Sequence, residues 1–339
     1  MLVKQRVQIT VRSTVVFLAI VASLSFLLAT LPVHAAPINN TPNTLKVSPV
    51  RTDVEISPGE SRTVKMTVTN LTTAPIMVRP VANDFISGDE RGTPALILDA
   101  DKFAPTHSLK RFMQPLSDVT IPANDSKEVE VTIVVPKDAQ PGGYFGALRF
   151  APTTPDGGGQ VNLNASVASL ILMTVPGPAI EKISLTDFAV LQGKKTGSLF
   201  QTPDNLQVSF RFQNQGSIQM GPIGQISVKK GGKVVYTVDF NNKPQRDMVL
   251  PDSARRWDVP LKNIDSFGHY DVVAVYTYGK NNQTIEVTRS FWVIPVAIMI
   301  GAAVGLVVLI GLVVGIVLFL RSYKRRVLSS QGRSGYRRY

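Results

Sequence analysis

The chain has 339 residues and no cysteine, which excludes a disulfide scaffold, thiol chemistry and any thiolate-ligated metal. Its formal charge is +12. Arg321, Lys324, Arg325, Arg326, Arg333, Arg337 and Arg338 crowd the C-terminus, and Lys4, Arg6 and Arg12 the N-terminus, which leaves about +2 for the middle. Basic residues massed beside apolar spans are topology signals and contacts for anionic lipid, so nucleic acid is not read as a partner.

Residues 1–36 read as a signal peptide. Lys4, Arg6 and Arg12 form its positive region, Thr14 to Leu31 is uncharged and apolar, Pro32 breaks the helix, and Val33-His34-Ala35 suits cleavage after Ala35 or Ala36. The apolar run is long for a signal, so an uncleaved anchor is the alternative; both place residue 37 onward outside the cytoplasm. Residues 37–44, rich in Asn, Pro and Thr, form a loose leader.

From residue 45 the pattern has period two. Val64, Met66 and Val68 alternate with Lys65, Thr67 and Thr69, and Val129, Val131 and Ile133 alternate with Glu130 and Thr132. Such alternation marks strands with one face in a core and the other in water. Ser57-Pro58-Gly59, Ala74-Pro75, Ile121-Pro122, Pro141-Gly142-Gly143 and Gly157-Gly158-Gly159 punctuate it. Leu96 to Leu116 has room for a short helix or turn around Ser108 to Met113. Val161 to Val175 reads as a long buried strand that Pro176-Gly177-Pro178 stops, and this places a first domain at 45–176.

A second domain, 177–290, repeats the pattern. Leu206, Val208, Phe210 and Phe212 alternate with polar residues, and Val234, Tyr236, Val238 and Phe240 follow the Gly231-Gly232 hairpin signal. Trp257, Val259 and Leu261, then Tyr270, Val272, Ala274, Tyr276 and Tyr278, then Ile285 and Val287, mark three more strands. Strands spaced about ten residues apart indicate a β-sandwich. Asn70 and Asn214 each end an early strand before a polar turn, where the Asn side chain can cap the backbone.

Residues 291–320 hold no charge and exceed the roughly 20 residues that span a bilayer. Trp292 suits the outer interface. The basic tail 321–339 places the C-terminus in the cytoplasm by the positive-inside rule. Gly301, Gly305, Gly311 and Gly315 form two small-xxx-small frames that permit a weak homodimer; the alternative is that glycine is simply common in membrane helices.

In Pro58-Gly59-Glu60-Ser61, Thr63 to Asn70, Ile121-Pro122, Val129 to Pro136 and Pro141 to Phe150, the first domain resembles the WxL-interacting proteins of Gram-positive cell surfaces. Those share the plan of signal peptide, two Ig-like domains, one membrane helix and a basic tail. The same turn and strand elements are similar to the N-terminal domain of periplasmic pilus chaperones. The resemblance covers roughly residues 45–175, and the rest matches by layout. It implies a cell-wall role, with one domain on peptidoglycan and the other holding a partner surface protein. The second domain carries no motif for partner binding, and no basic pair of the chaperone type for a subunit carboxylate stands out.

Catalytic signatures are missing from the sequence: no HExxH, P-loop, GxGxxG, EF-hand loop or Gly-x-Ser-x-Gly elbow occurs. His107 and His269 fall in different domains and read as surface or turn histidines. Asp84, Asp89, Glu90, Asp99 and Asp101 gather around Gly88 and Gly92; calcium could use such oxygens, but the spacing fits no known loop and a solvated acidic loop is the plainer reading. Asn70-Leu71-Thr72, Asn164-Ala165-Ser166 and Asn282-Gln283-Thr284 fit the glycosylation pattern, as chance allows in a chain rich in Asn, Ser and Thr. Tyr144 and Phe145 read as core filling, with an exposed aromatic contact as the alternative.

The sequence therefore predicts an all-β chain of tandem Ig-like β-sandwich domains with an N-terminal signal peptide and one C-terminal transmembrane helix. It predicts a non-enzymatic plasma-membrane protein, largely extracytoplasmic, that binds peptidoglycan or a partner surface protein. The alternative is an assembly chaperone or accessory subunit of a surface-appendage or secretion system. No cofactor and no catalytic, cofactor-binding or metal residue is assigned, and no binding residue is named.

Overall fold

A computed structural model describes residues 44–99, 101–153 and 166–331. The expected signal peptide, the leader up to residue 43, Gly157-Gly158-Gly159, Asn164 and the tail from residue 332 lie outside the described residues.

The first half forms β1 (Leu45–Ser48), β2 (Arg51–Glu55), β3 (Ser61–Asn70), β4 (Ile76–Ser87), β5 (Pro94–Leu96), β6 (Val119–Ile121), β7 (Ser126–Val134), β8 (Gly142–Thr153) and β9 (Val167–Val175). One sheet runs β1-β3-β7. The other runs β2-β9-β8-β4-β5, with β6 also on β4. Val64, Met66 and Val68 of β3 and Val129, Val131 and Ile133 of β7 point into the core between the sheets. Lys65, on the outer face, bridges Glu128 and Glu130 at 2.8 and 2.7 Å.

The second half forms β10 (Ile183–Gln192), β11 (Lys195–Thr196), β12 (Leu199–Phe200), β13 (Leu206–Asn214), β14 (Ile223–Lys230), β15 (Lys233–Phe240), β16 (Ala254–Pro260), β17 (Gly268–Tyr278) and β18 (Gln283–Val293). Its sheets run β11-β10-β13-β16 and β12-β18-β17-β14-β15. In each half the opening stretch starts in one sheet and then crosses to lie parallel to the last strand of the other, β2 on β9 and β12 on β18. All other ladders between the strands are antiparallel. Splitting early, second and late strands from the central hairpin strands in this way is the immunoglobulin-like sandwich order.

The same corner is built twice. Asn70 is fully buried: its Nδ2 donates to the carbonyls of Ala74 (2.7 Å), Ile121 (3.3 Å) and Pro122 (3.0 Å), and its Oδ1 accepts from the Thr72 amide (2.9 Å). Asn214 donates to Ile218 and Val249 carbonyls at 2.8 and 2.9 Å and accepts from the Gly216 amide at 2.8 Å. Each closes its turn four residues on and ties it to a distant loop. Buried in this way, Asn70 is no glycan acceptor.

The stretch from Ala104 to Lys110 is held by Asp84, whose buried carboxylate accepts from the Ala104 and Lys110 amides (2.9 Å each) and from Ser108 Oγ (2.6 Å). Among the described residues there, a single 3-10 turn, Lys110–Phe112, is the only helical piece.

The helix α1 spans Val296–Gln331. Its stretch Val296–Lys324 is long and apolar enough to cross a membrane. It begins five residues later than the sequence suggests, because Phe291, Trp292 and Val293 complete β18 by pairing with Tyr270, His269 and Gly268. Phe291 and Val293 are buried in the second core, so strand periodicity wins over the apolar run.

Candidate functional site: the cleft between the sandwiches

Several contacts join the two sandwiches. A small apolar seam joins Phe85, Phe145, Ala147 and Leu172 on the first to Met248 and Leu250 on the second. The backbone links directly, with the Gly143 amide donating to the Ser217 carbonyl (2.8 Å), and Gln219 Nε2 reaches Thr174 Oγ1 at 2.9 Å. Another link is the turn between β4 and β5. Asp89 Oδ1 accepts from the Arg91 and Thr93 amides at 2.9 Å each and holds the turn, which presents Glu90 to the second sandwich. Glu90 accepts from Arg211 Nε at 2.8 Å, lies 3.6 Å from Arg256, and its carbonyl takes the Arg256 amide. Arg256 in turn donates to Asp187 at 2.6 Å, which holds its guanidinium even more firmly protonated than usual. The acidic loop is thus a latch, and its carboxylates point to different partners instead of converging on a cation.

Beside this latch lies a cavity of about 70 Å³, the size of a guest side chain and not of a whole small-molecule ligand. Leu170, Leu172 and Phe85 line one wall and Met248 and Leu250 the other. Two guanidinium groups flank it. Arg51, at the start of β2, forks onto Asp53 (2.7 and 3.1 Å) and donates to the Arg246 carbonyl of the second sandwich (2.8 Å). Gln245 returns a bond to the Arg51 carbonyl at 3.0 Å. Arg255, at the start of β16, lies over the Trp257 ring (5.1 Å), contacts Asp247 at 3.2 Å and donates to the Met248 carbonyl at 3.1 Å. Its Nε is buried with no hydrogen-bond partner. A buried donor left unpaired costs about 1–3 kcal/mol, more on a charged group. Gly92 faces this guanidinium with φ +86°, and a Cβ there would collide with it.

Burial pushes Asp247 up, but the hydrogen bond from Lys243 and the charge of Arg255 outweigh it, and its carboxyl lies below the ordinary carboxylate range. The ion pair beside the cavity therefore stays charged at neutral pH.

The residues singled out from the sequence lie elsewhere or do other work. His107, with φ +60°, ties the 97–113 segment to β8: its Nδ1 is 2.6 Å from the Gly143 carbonyl, and its carbonyl accepts the Phe145 amide. It is a half-buried structural tie and not a free surface histidine. His269 packs on Trp292 at 4.6 Å, in the other sandwich. Phe145 is buried, while Tyr144 packs on Phe112 (5.0 Å) and donates to the Gln140 carbonyl (2.8 Å), so both fill space within the fold. Asp99 and Asp101 stay in a surface turn, where Asp99 pairs with Lys102 at 3.2 Å.

Arg51 and Arg255 were the residues sequence reading passed over, and Glu90 was read as part of a solvated acidic loop. Arg255-Arg256 is a visible doublet before Trp257, but on an alternating strand it reads as solvated charge. Only the packing of one sandwich on the other converts it into a cleft wall.

No protein-family model and no curated protein matches the chain. Solved structures similar to it include the class 5 fimbriae chaperone CfaA, at 15% identity over 72% of this chain and 98% of that one, with a TM-score of 0.38. The E. coli chaperone DraB matches at 16% identity over 74% of this chain and 98% of that one, TM-score 0.29. The Pseudomonas aeruginosa CupB2 chaperone matches at 10% identity over 72% and 99%, TM-score 0.32. At these scores the likeness says nothing of activity, and the fold assignment rests on the strand order.

Proposed function

We propose that this chain is a non-enzymatic, membrane-anchored accessory protein of the cell surface that holds an extended segment of a partner protein in the cleft between its sandwiches. The observation that supports this reading is the cavity itself: apolar walls sized for one side chain, with the Arg255 guanidinium among its lining groups. An extended segment offering an apolar side chain and a neighbouring carboxylate or carbonyl satisfies both features. Arg suits such recognition because its planar fork accepts a carboxylate in fixed geometry.

Of the two roles open from the sequence, assembly accessory and wall scaffold, the cleft favours the first. The resemblance to WxL-interacting proteins is compatible with either. α1 anchors the chain, with the basic tail inside and the sandwiches outside.

The test is capture from native envelopes by the full chain in detergent. Wild type recovers a discrete surface protein, and Arg255→Ala lowers its recovery at least tenfold. Recovery of peptidoglycan alone, unchanged in Arg255→Ala, returns the scaffold reading to first place.

A further inference from the structure

We infer that the end of the second sandwich from which α1 leaves is itself a docking face for an anionic bilayer, so that the domain sits on the lipid instead of swinging from the helix. This rests on the reading of α1 as a membrane anchor.

The topology gathers the relevant residues at one end. Val293, the last residue of β18, pairs with Gly268 at the start of β17 and with Phe200 at the end of β12. Lys230 at the end of β14 pairs with Tyr270 of β17 and with Lys233 at the start of β15. In the opposite sheet Gln192 pairs with Leu206, Gln207 pairs with Pro260, and the Leu261 amide bonds the Leu206 carbonyl. The turns β10–β11, β14–β15 and β16–β17 therefore all lie at the helix end.

Those turns and strand ends carry Lys194, Lys195, Lys229, Lys230, Lys233 and Lys262, against Asp204, Asp265 and Asp271, the last directly opposite Lys229. Asp265 is already engaged by Lys230 at 2.6 Å, which holds its carboxyl low and the amine high. Among the lysines stand four exposed apolar side chains: Leu199 (50%), Val234 (57%), Phe267 (49%) and Trp292 (45%). Trp292 is four residues from the first residue of α1. Apolar and aromatic side chains among lysines, continuous with a membrane-length helix, are what the headgroup region of a bilayer accommodates. Lysine stems lie along the apolar boundary while their amines reach phosphate. The occupant is thus the anionic lipid surface into which the helix runs.

Val234 supplies a test independent of the helix. It lies on β15, three strands from β18, or roughly 14 Å at ordinary strand spacing. Trp257 and Trp292 are the only tryptophans, and Trp257 packs inside the aromatic core. The full chain carrying Trp292→Phe and Val234→Trp is reconstituted in vesicles of phosphatidylcholine, with or without phosphatidylglycerol, that contain brominated lipid; Trp292→Phe alone gives the baseline. The inference predicts that Val234→Trp is quenched about as strongly as Trp292 in wild type when phosphatidylglycerol is present. Changing Lys229, Lys233 or Lys262 to Gln lowers the docked-to-undocked ratio roughly fivefold for each. Quenching of Trp292 with none at Val234→Trp overturns the docking face, as the domain then stands off the bilayer. Equal quenching in neutral vesicles overturns the role of the lysines. A chain that fails to float with vesicles after alkaline washing overturns the anchor reading instead, a separable outcome.

Discussion

The two sandwiches share a strand order and an Asn corner but are filled differently. The first core is mostly aliphatic, built on valines, isoleucines, leucines and methionines around the single buried ring of Phe150, and it includes the Asp84 carboxylate that holds Ala104, Ser108 and Lys110. The second is aromatic: Phe210 lies 4.9 Å from Phe240, 5.1 Å from Tyr276 and 6.1 Å from Trp257. Buried rings carry a large apolar payload in a few side chains. The contrast suggests a division of labour, in which the first sandwich shapes loops and a cleft wall and the second is a stiff block between that cleft and the helix.

Removing the central ring should break this contrast most visibly. Phe210→Ala is expected to cost the second sandwich about 3–5 kcal/mol, and Ile133→Ala the first about 2–5 kcal/mol, by thermal unfolding with domain-resolved hydrogen exchange. If Phe210→Ala unfolds both sandwiches together, the domains are one cooperative unit through the cleft seam; if only the second exchanges faster, each stands alone.

The shared corner gives the next effect. Asn70→Ala and Asn214→Ala each remove a side chain that satisfies buried carbonyls, and each should cost about 1–3 kcal/mol, confined to its own sandwich. Unequal losses would show that the two corners are similar in geometry only.

The Asp84 network tests the polar side of the comparison. Asp84→Ala should leave the second sandwich untouched and release protection of amides 97–113, including Ala104 and Lys110, which bond its carboxylate. Unchanged exchange there would show that the loop is held by Phe112 and Met113 packing instead.

Smallest is the effect of acid. Asp247 is charged in the fold below the ordinary carboxylate range, so its contribution is present above the unfolded value of about 3.9 and fades as pH falls through the lower folded value. As pH falls through that lower value the folded carboxyl takes up its proton and Arg255 should loosen, read as rising accessibility of the cleft to a small probe, and Asp247→Asn should abolish the pH dependence.

Much of the architecture was readable in the residues. Alternation at Val64–Val68, Leu206–Phe212 and Tyr270–Tyr276 gave strands and faces because period two is a local property. The start of α1 was misplaced because Phe291 and Val293 belong to a strand whose partners, Tyr270 and Gly268, lie 21 and 25 residues earlier. The cleft was not readable at all. Arg51 and Arg255 are separated by 204 positions, and nothing local tells a cleft arginine from a solvated one. Glu90 was read as part of a solvated acidic loop for the same reason: its partner Arg211 is 121 residues distant.

The most direct test of the central claim is a photo-crosslinking amino acid at Leu170, on the cleft wall, in cells bearing the full chain. The account predicts one discrete protein adduct that fades when Arg255→Ala is added. Absence of any protein adduct at Leu170, with efficient adducts from an outer-face position such as Lys65, would contradict it.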